Sequence, residues 1–142
     1  MQEWVEHSIN KFLVQLEECA KFKGDSIYLY RKLGLKNLDQ FLAALRQGRF
    51  LSQYTGMGSS WGFDRDVVSS WGFNKGEGDE YIFHGILALK DIDIKKTLIA
   101  HCHPEFGDCE YEIMVKKGAP VEIIRVEDEE IAPIKTVAKL NK

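Results

Sequence analysis

The sequence predicts one α+β domain, because helical patterns cluster in its first half and strand patterns in its second. Apolar residues recur every three or four positions from Glu3 to Lys23, whereas residues 81–126 consist mostly of short runs of branched and aromatic residues. Segregated helices and strands are typical of α+β domains, whereas alternating units would predict a parallel sheet. A length of 142 residues suits one hydrophobic core better than two.

We therefore expect residues 1–142 to form a single domain, with residues 1–24 as a helix that precedes the core and residues 127–142 as a C-terminal extension. The formal net charge of −3 offers no general attraction to nucleic acid or to an anionic membrane. No apolar run is long enough to cross a bilayer, and the N-terminus lacks the pattern of a signal peptide. The three cysteines suit free thiols, so we expect a cytoplasmic protein.

The first half of the chain predicts two helices separated by a strand. The amphipathic first helix ends before Gly24, a residue that readily adopts the conformation found beyond helix ends. Residues 26–31 are aromatic and branched, which indicates a strand, and residues 32–34 break it. Asn37 and Gln40 have the spacing of a capping box and therefore predict the start of the second helix.

The second helix is expected to close at Gly48, and residues 49–54 form a candidate strand. Residues 55–63 then combine glycines and hydroxyls with large aromatic side chains, a composition typical of ligand-binding loops. Asp64 can cap a short third helix that runs through Trp71. After a polar turn the chain predicts strands at 81–89, 97–102, 109–115 and 121–126.

Two carboxylates, Glu110 and Glu112, flank Tyr111 at the start of one predicted strand. Side chains alternate along a strand, so the two glutamates share one face. A solvated face explains this pattern most simply, since charged residues in strands usually meet water. The alternative is a paired-carboxylate site, in which repulsion raises the pKa of one group into the range of a general base.

Three motifs in this order resemble those of the mono-ADP-ribosyltransferases of the arginine, serine, glutamate class. They are Leu29-Tyr30-Arg31, Gly58-Ser59-Ser60-Trp61 and Glu110-Tyr111-Glu112-Ile113, and the resemblance spans residues 26–126. It implies two antiparallel sheets that frame a cleft for NAD. It also implies release of nicotinamide and transfer of ADP-ribose to a macromolecular acceptor, a protein arginine more readily than a nucleic acid.

The resemblance also implies roles for individual residues. Glu112 would hold a ribose hydroxyl and stabilise the positive charge that develops as nicotinamide leaves, much as carboxylates act in glycosidases. Glu110 would orient or deprotonate the acceptor. Arg31 would bind the NAD phosphates through parallel hydrogen bonds, and Ser59 or Ser60 would brace Glu112.

Three aromatic residues stand beside these motifs, each with two interpretations. Trp61 and Phe63 would either stack on nicotinamide or fill the hydrophobic core, where large aromatics are more often found. Phe106 would either contact the acceptor or anchor its own loop. Within the resemblance, Lys32 stands where glycine is frequent and the serine motif lacks its second bracing hydroxyl, which places the acceptor in question.

Other functions compete with this one. A non-catalytic module of the same fold would bind NAD, ADP-ribose or a protein, and an NAD glycohydrolase would use water as acceptor. Zinc binding by His101, His103 and Cys109 would need a fourth ligand such as His84, at a spacing unlike that of known zinc fingers. We therefore expect no metal. A bacterial or phage protein that acts as a toxin or effector on a cytosolic target fits the small size.

Overall fold

The computed structural model describes residues 2–46, 60–70, 78–102, 111–116, 119–131 and 133–137. In this part of the chain lie four α-helices, seven strands and a 3₁₀ turn at Leu89–Asp91. The helices are α1 (Gln2–Cys19), α2 (Leu38–Arg46), α3 (Arg65–Ser70) and α4 (Ile94–Cys102). The strands are β1 (Phe22–Lys23), β2 (Ser26–Leu35), β3 (Ser60–Gly62), β4 (Asp79–Ala88), β5 (Glu112–Met114), β6 (Pro120–Val126) and β7 (Ile134–Val137).

The described strands form one sheet, in the order β5-β3-β2-β4-β6-β7, and β1 pairs with β2 outside this path. Every pairing between them is antiparallel. The predicted α+β class is confirmed, but the expected two sheets are one in this part of the chain. The reason is the central pair: β2 and β4 match along ten residues each, from Ser26↔Ala88 to Leu35↔Asp79, and so join the strands on either side of them.

Two boundaries in the first half differ from the predictions. Helix α1 ends at Cys19, and Gly24, with φ 57°, lies instead in the two-residue turn between β1 and β2, where Lys23 pairs with Ser26. Only glycine adopts such a positive φ at no steric cost. Strand β2 continues through Lys32 and Gly34 to Leu35, because β4 supplies hydrogen-bond partners along its whole length.

The predicted strand at residues 97–102 is wrong, since this segment belongs to helix α4. Its branched residues favour a strand locally. The helix nevertheless begins here because Asp93 caps it: Asp93 Oδ1 accepts a hydrogen bond from Lys96 N at 3.0 Å, and Asp93 O accepts one from Thr97 N at 2.9 Å. In the C-terminal segment, β7 adds a strand to the sheet beside β6.

Two predicted helix caps are confirmed. Asn37 Oδ1 accepts a hydrogen bond from Gln40 N at 2.9 Å at the start of α2. Asp64 Oδ1 accepts hydrogen bonds from Asp66 N at 2.9 Å and Val67 N at 3.0 Å at the start of α3. In each case the side chain satisfies N–H groups that the helix itself leaves without a partner.

The sheet has two faces, defined by alternation along β2. Ile27, Leu29 and Leu33 are fully buried on one side, which we call the core face. Tyr30 and Lys32 lie on the other side, which we call the Tyr30 face. Lys32 Nζ donates a hydrogen bond to Ser69 O at 2.9 Å, so α3 covers part of the Tyr30 face.

Helices α1 and α2 pack on the core face. Phe12 of α1 meets Phe63 edge to face, with ring centroids 6.1 Å apart, and Phe41 of α2 meets Phe83 of β4 in the same way at 5.6 Å. These contacts belong to one cluster of buried apolar side chains that includes residues of every strand from β2 to β7. The core face of the sheet is thus covered by helices, and the Tyr30 face carries most of the polar side chains of the sheet.

Strand β6 contains an irregularity opposite the middle of β4. His84 pairs with Arg125, but Gly85 pairs with Ile123, so Ile124 has no partner on β4. Such a bulge shifts the alternation of the strand by one residue. As a result Ile123 and Val126 are both fully buried, whereas Arg125 between them is exposed.

Candidate functional site

The three motifs of the sequence lie on three neighbouring strands. Arg31 belongs to β2, Ser60 to β3 and Glu112 to β5, and β3 lies between the other two. The register is continuous: Tyr30 pairs with Gly62, and Gly62 pairs with Glu112. Residues that are 81 positions apart in the chain, Arg31 and Glu112, therefore stand only two strands apart.

The register also assigns these side chains to faces. Glu112, Gly62 and Tyr30 form one row across three strands, so Glu112 projects from the Tyr30 face. Gly62, which is buried, contributes no side chain to this row. Arg31 is one residue out of the row, beside Trp61, and its side chain leaves the strand on the core face. The structure thus brings the strands together but does not put Arg31 and Glu112 on the same face.

The charge of Glu112 nevertheless reaches Arg31. The pKa of the Arg31 guanidinium is lowered, chiefly because burial removes it from water, and the negative charge of Glu112 opposes this shift. The effect of burial is the larger of the two, so the charged form of Arg31 is less favourable in the folded protein than in water. Guanidinium groups bind phosphate and carboxylate oxygens through paired hydrogen bonds, so the residue type suits an anionic ligand.

Helix α4 holds the outer edge of β5. His101 Nε2 lies 2.8 Å from Glu112 O, and Thr97 Oγ1 accepts a hydrogen bond from Met114 N at 2.9 Å. Asp93 N donates to Met114 O at 2.8 Å. On its other side β5 pairs with β3. The backbone of Glu112 is therefore fixed from both sides, which orients its carboxylate.

Tyr111 sets the direction in which the chain enters β5. It has a φ of 64°, which residues other than glycine rarely adopt. Its carbonyl accepts a hydrogen bond from Phe63 N at 2.8 Å, its N–H donates to Gln15 Oε1 at 3.4 Å, and its ring contacts Phe63 with centroids 5.7 Å apart. Strain of this kind persists where neighbours hold it, and is common beside functional residues.

Trp61 and Phe63 are fully buried in the core. The ring of Trp61 packs over Gly85, where a Cβ atom would lie 3.2 Å from Trp61 Cζ3. Trp61 Nε1 is buried and makes no hydrogen bond to any residue that the structure describes. Both residues thus occupy the core position that was one of their two interpretations, and stacking on nicotinamide stays a prediction.

A second polar cluster lies on the Tyr30 face. Arg65 donates to both carboxylate oxygens of Glu127, from Nε at 2.8 Å and from Nη2 at 2.5 Å, and His84 Nε2 lies 2.6 Å from Glu127 Oε2. The ring of His84 in turn meets Tyr30 edge to face at 4.9 Å. The hydrogen bonds from Arg65 lower the pKa of Glu127 to about 2, and the same contacts raise the pKa of Arg65.

Some residues of the predicted site lie outside the described part of the chain. These are Ser59, Glu110 and Phe106, and for Ser60 only the backbone is described, paired with Met114. The proposed acceptor residue and acceptor contact therefore stay predictions, as does the bracing hydroxyl.

Sequence reasoning missed the residues that hold β5. Thr97 and His101 are four positions apart and share one face of α4, but this spacing has no meaning in a strand, which is what the segment was expected to be. The Arg65–Glu127 pair was missed because its members are 62 residues apart, and no local pattern connects them.

Two of the histidines weighed as zinc ligands have other contacts, and His103 and Cys109 lie outside the described part of the chain. His101 binds the Glu112 carbonyl and contacts Phe12 in a tilted arrangement, with ring centroids 4.3 Å apart, and His84 binds Glu127. Among the described residues, no three His, Cys, Asp or Glu side chains form a group that could hold a metal ion. No helix in this part of the chain is long and apolar enough to span a lipid bilayer.

Comparison with known proteins adds no family to this geometry: no family model, no curated protein and no solved structure matches the chain. The arrangement of Arg31, Glu112 and their neighbours must therefore be interpreted from its own chemistry.

Proposed function

We propose that the chain is an NAD-dependent mono-ADP-ribosyltransferase that releases nicotinamide and transfers ADP-ribose to a macromolecular acceptor, a protein arginine being the favoured target. The observation that carries the proposal is the strand order β5-β3-β2, which gathers Glu112, Ser60 and Arg31 from distant parts of the sequence onto adjacent strands. Neither composition nor local periodicity requires that arrangement. In fold terms, we propose that the single sheet is a variant of the NAD cleft of this class.

The charges supply the second argument. Cleavage of the bond between ribose and nicotinamide develops positive charge on the ribose, so the reaction needs a fixed carboxylate. Glu112 meets this need, because His101 and the pairing with β3 fix its backbone. Arg31 would supply a guanidinium suited to the phosphate oxygens of NAD.

The roles of the remaining residues follow from the proposal. Ser60 would brace Glu112, Glu110 would orient the acceptor, and Phe106 would contact it. The aromatic wall of Trp61 and Phe63 would support the cleft from the core side. The protein would act in the cytoplasm of the cell that makes it or is infected, as a toxin or effector.

The experiment that tests the proposal is nicotinamide release from NAD by the purified protein, with and without cell lysate. We expect release that depends on Glu112, with label from the adenosine half of NAD carried onto a macromolecule. Glu122→Gln is the matched control, since Glu122 is a half-buried glutamate on β6, away from β5. Absence of release in every lysate tried would contradict the proposal.

The same experiment separates the alternatives. An NAD glycohydrolase would yield free ADP-ribose in an amount equal to the nicotinamide, and no labelled macromolecule. A non-catalytic module would bind NAD or ADP-ribose in calorimetry but release nothing. Glu110→Ala sharpens the distinction, because loss of the acceptor residue should reduce transfer more than NAD cleavage.

A further inference from the structure

An apolar pocket of about 350 Å³ lies between α1 and α4, on the side of β5 away from Glu112. Its floor is buried: Phe12, Thr97 and Ile113 expose 7%, 2% and 1% of their surface. Its mouth is open, since Leu13 and Ile94 line the pocket and yet expose 51% and 64%. The pocket therefore has a closed end and an entrance.

The lining leaves little for water to bind. Its polar side chain, Thr97, already uses its hydroxyl to accept a hydrogen bond from Met114 N. Apolar cavities of about 150 Å³ stay dry and take up benzene, so a pocket more than twice as large favours a longer hydrocarbon. The volume falls within the range of ordinary small-molecule sites, roughly 300–1,000 Å³.

The charges at the mouth favour an anionic head group on one side. Lys90, Lys95 and Lys96 are exposed beside the lining residues Leu89 and Ile94. None of the three lysines forms an ion pair with a residue that the structure describes.

The distribution of acidic groups around the pocket indicates that the head group lies on the α4 side. Asp93 lies among the lysines and offsets part of their positive charge, while its carboxylate also accepts the Lys96 backbone N–H. Asp91 is half-buried next to Lys90, and α1, which lines the other side of the pocket, carries the exposed carboxylates Glu6 and Glu17 as well as the exposed Lys11. An anionic group would therefore be drawn toward Lys95 and Lys96 and away from α1.

We propose that this pocket binds a free single-chain carboxylic acid, with the alkyl chain between α1 and α4 and the carboxylate beside Lys95 and Lys96. The ligand class is a medium-chain fatty acid. The inference does not depend on NAD chemistry, and its test measures binding alone, so either proposal can fail without the other.

Calorimetry with octanoate, decanoate and dodecanoate, each below its micelle concentration, tests the hydrocarbon site. One ligand should bind per chain, with affinity rising about fourfold for each added methylene until the pocket is full. No saturable binding, or affinity that does not change with chain length, would overturn the proposal.

The pocket is tested by a matched pair of variants on α1. Leu13 and Val14 both expose 51% of their surface, but only Leu13 is among the lining residues. Leu13→Gln should lower decanoate affinity at least about tenfold by removing apolar contact, and Val14→Gln should leave it unchanged. On α4, Ile94→Gln and the non-lining control Ile99→Gln repeat the comparison, and circular dichroism checks that all four fold. Equal affinity in both members of a pair would count against the site.

The head group is tested with decanol, which has the same chain length and no charge. The double variant Lys95→Gln, Lys96→Gln should weaken decanoate several-fold and leave decanol unchanged; equal loss of both would remove the lysines from the proposal. Two further outcomes would overturn it. Binding to anionic vesicles without decanoate binding would assign the surface to a membrane, and ligand-free dimers that Leu13→Gln dissociates would assign it to a second copy of the chain.

Discussion

Two arginine–glutamate pairs lie on the same sheet, and they differ in the interactions that act on their charges. In the pair Arg65–Glu127, two direct hydrogen bonds stabilise both charges, so the pKa of Glu127 falls to about 2 and that of Arg65 rises. In the pair Arg31–Glu112, the influence of Glu112 on Arg31 is weaker than the effect of burial, so the pKa of Arg31 falls.

This difference separates a structural contact from a candidate binding site. The Arg65–Glu127 pair satisfies its own charges, together with His84, and links α3 to the turn after β6. In the Arg31–Glu112 pair burial lowers the pKa of the guanidinium, and perturbed pKa values cluster at functional sites. We therefore expect substitutions in the first pair to change stability, and substitutions in the second to change ligand chemistry.

The substitution Glu112→Gln tests this comparison with the largest expected effect. An amide keeps the shape of the side chain but cannot stabilise a developing cation, so nicotinamide release should fall about 10²–10³-fold. The free energy of unfolding should change by less than about 1 kcal/mol, because the backbone of Glu112, and not its carboxylate, binds His101. Steady-state release assays and urea unfolding measure the two quantities. Full activity in this variant would end the proposed role.

Arg31→Lys should have the next largest effect. Lysine keeps the charge but loses the paired donors of guanidinium, so the dissociation constant for NAD should rise about tenfold. Arg125→Lys is the control, since Arg125 is an exposed arginine on the same sheet, three strands from β3. Calorimetry with NAD measures both. An unchanged constant for Arg31→Lys would move Arg31 to a structural role.

Glu127→Gln should show the opposite profile. It removes the negative charge and one of the two oxygens that take part in three hydrogen bonds with Arg65 and His84. It should lower the free energy of unfolding by about 1–2 kcal/mol, a value reduced because Arg65 is partly exposed. Nicotinamide release by the folded protein should not change. Glu129→Gln, an exposed glutamate two residues away, should alter neither quantity. Loss of activity in Glu127→Gln at full stability would reverse the comparison.

The smallest expected effect is a change in stability at acid pH. It tests whether the charge of Glu127 stabilises the fold. The pKa of Glu127 is lowered from 4.5 to about 2 by folding, so its contribution to stability is present above pH 4.5 and is lost as the pH falls toward 2. The difference in unfolding free energy between the parent and Glu127→Gln should therefore shrink across this window. Urea unfolding at several pH values measures it. A difference that stays constant from pH 5 to pH 2 would show that the ionised carboxylate does not stabilise the fold.

Local signals explain what the sequence could predict about the fold. Asn37 and Asp64 cap their helices as expected, because a cap depends on residues only two or three positions away. The segment after Asp93 was misjudged because its branched residues favour a strand, whereas the cap and the contacts of Thr97 with β5 favour a helix. Tertiary contacts outweigh propensities of this size.

The candidate site shows a similar limit. The residue types of Arg31 and Glu112 could be picked from the sequence, since the proposed chemistry needs a guanidinium and a carboxylate. Their positions two strands apart, and on different faces, depend on strand order and register, which no local pattern encodes. The hydrogen bonds from α4 that hold β5, above all the one at His101, depend on the same long-range arrangement.

The unpaired residue Ile124 makes β6 tolerant of one particular change in chain length. Removing it would restore regular pairing with β4 and keep the present faces, because Ile123, Arg125 and Val126 would then follow one another opposite Gly85, His84 and Phe83. Replacing Ile124 with another residue would keep the bulge and hence the same faces. Deletion of Ile124 should therefore be tolerated nearly as well as its substitution, whereas a further inserted residue would have no partner on β4 and would widen the irregularity.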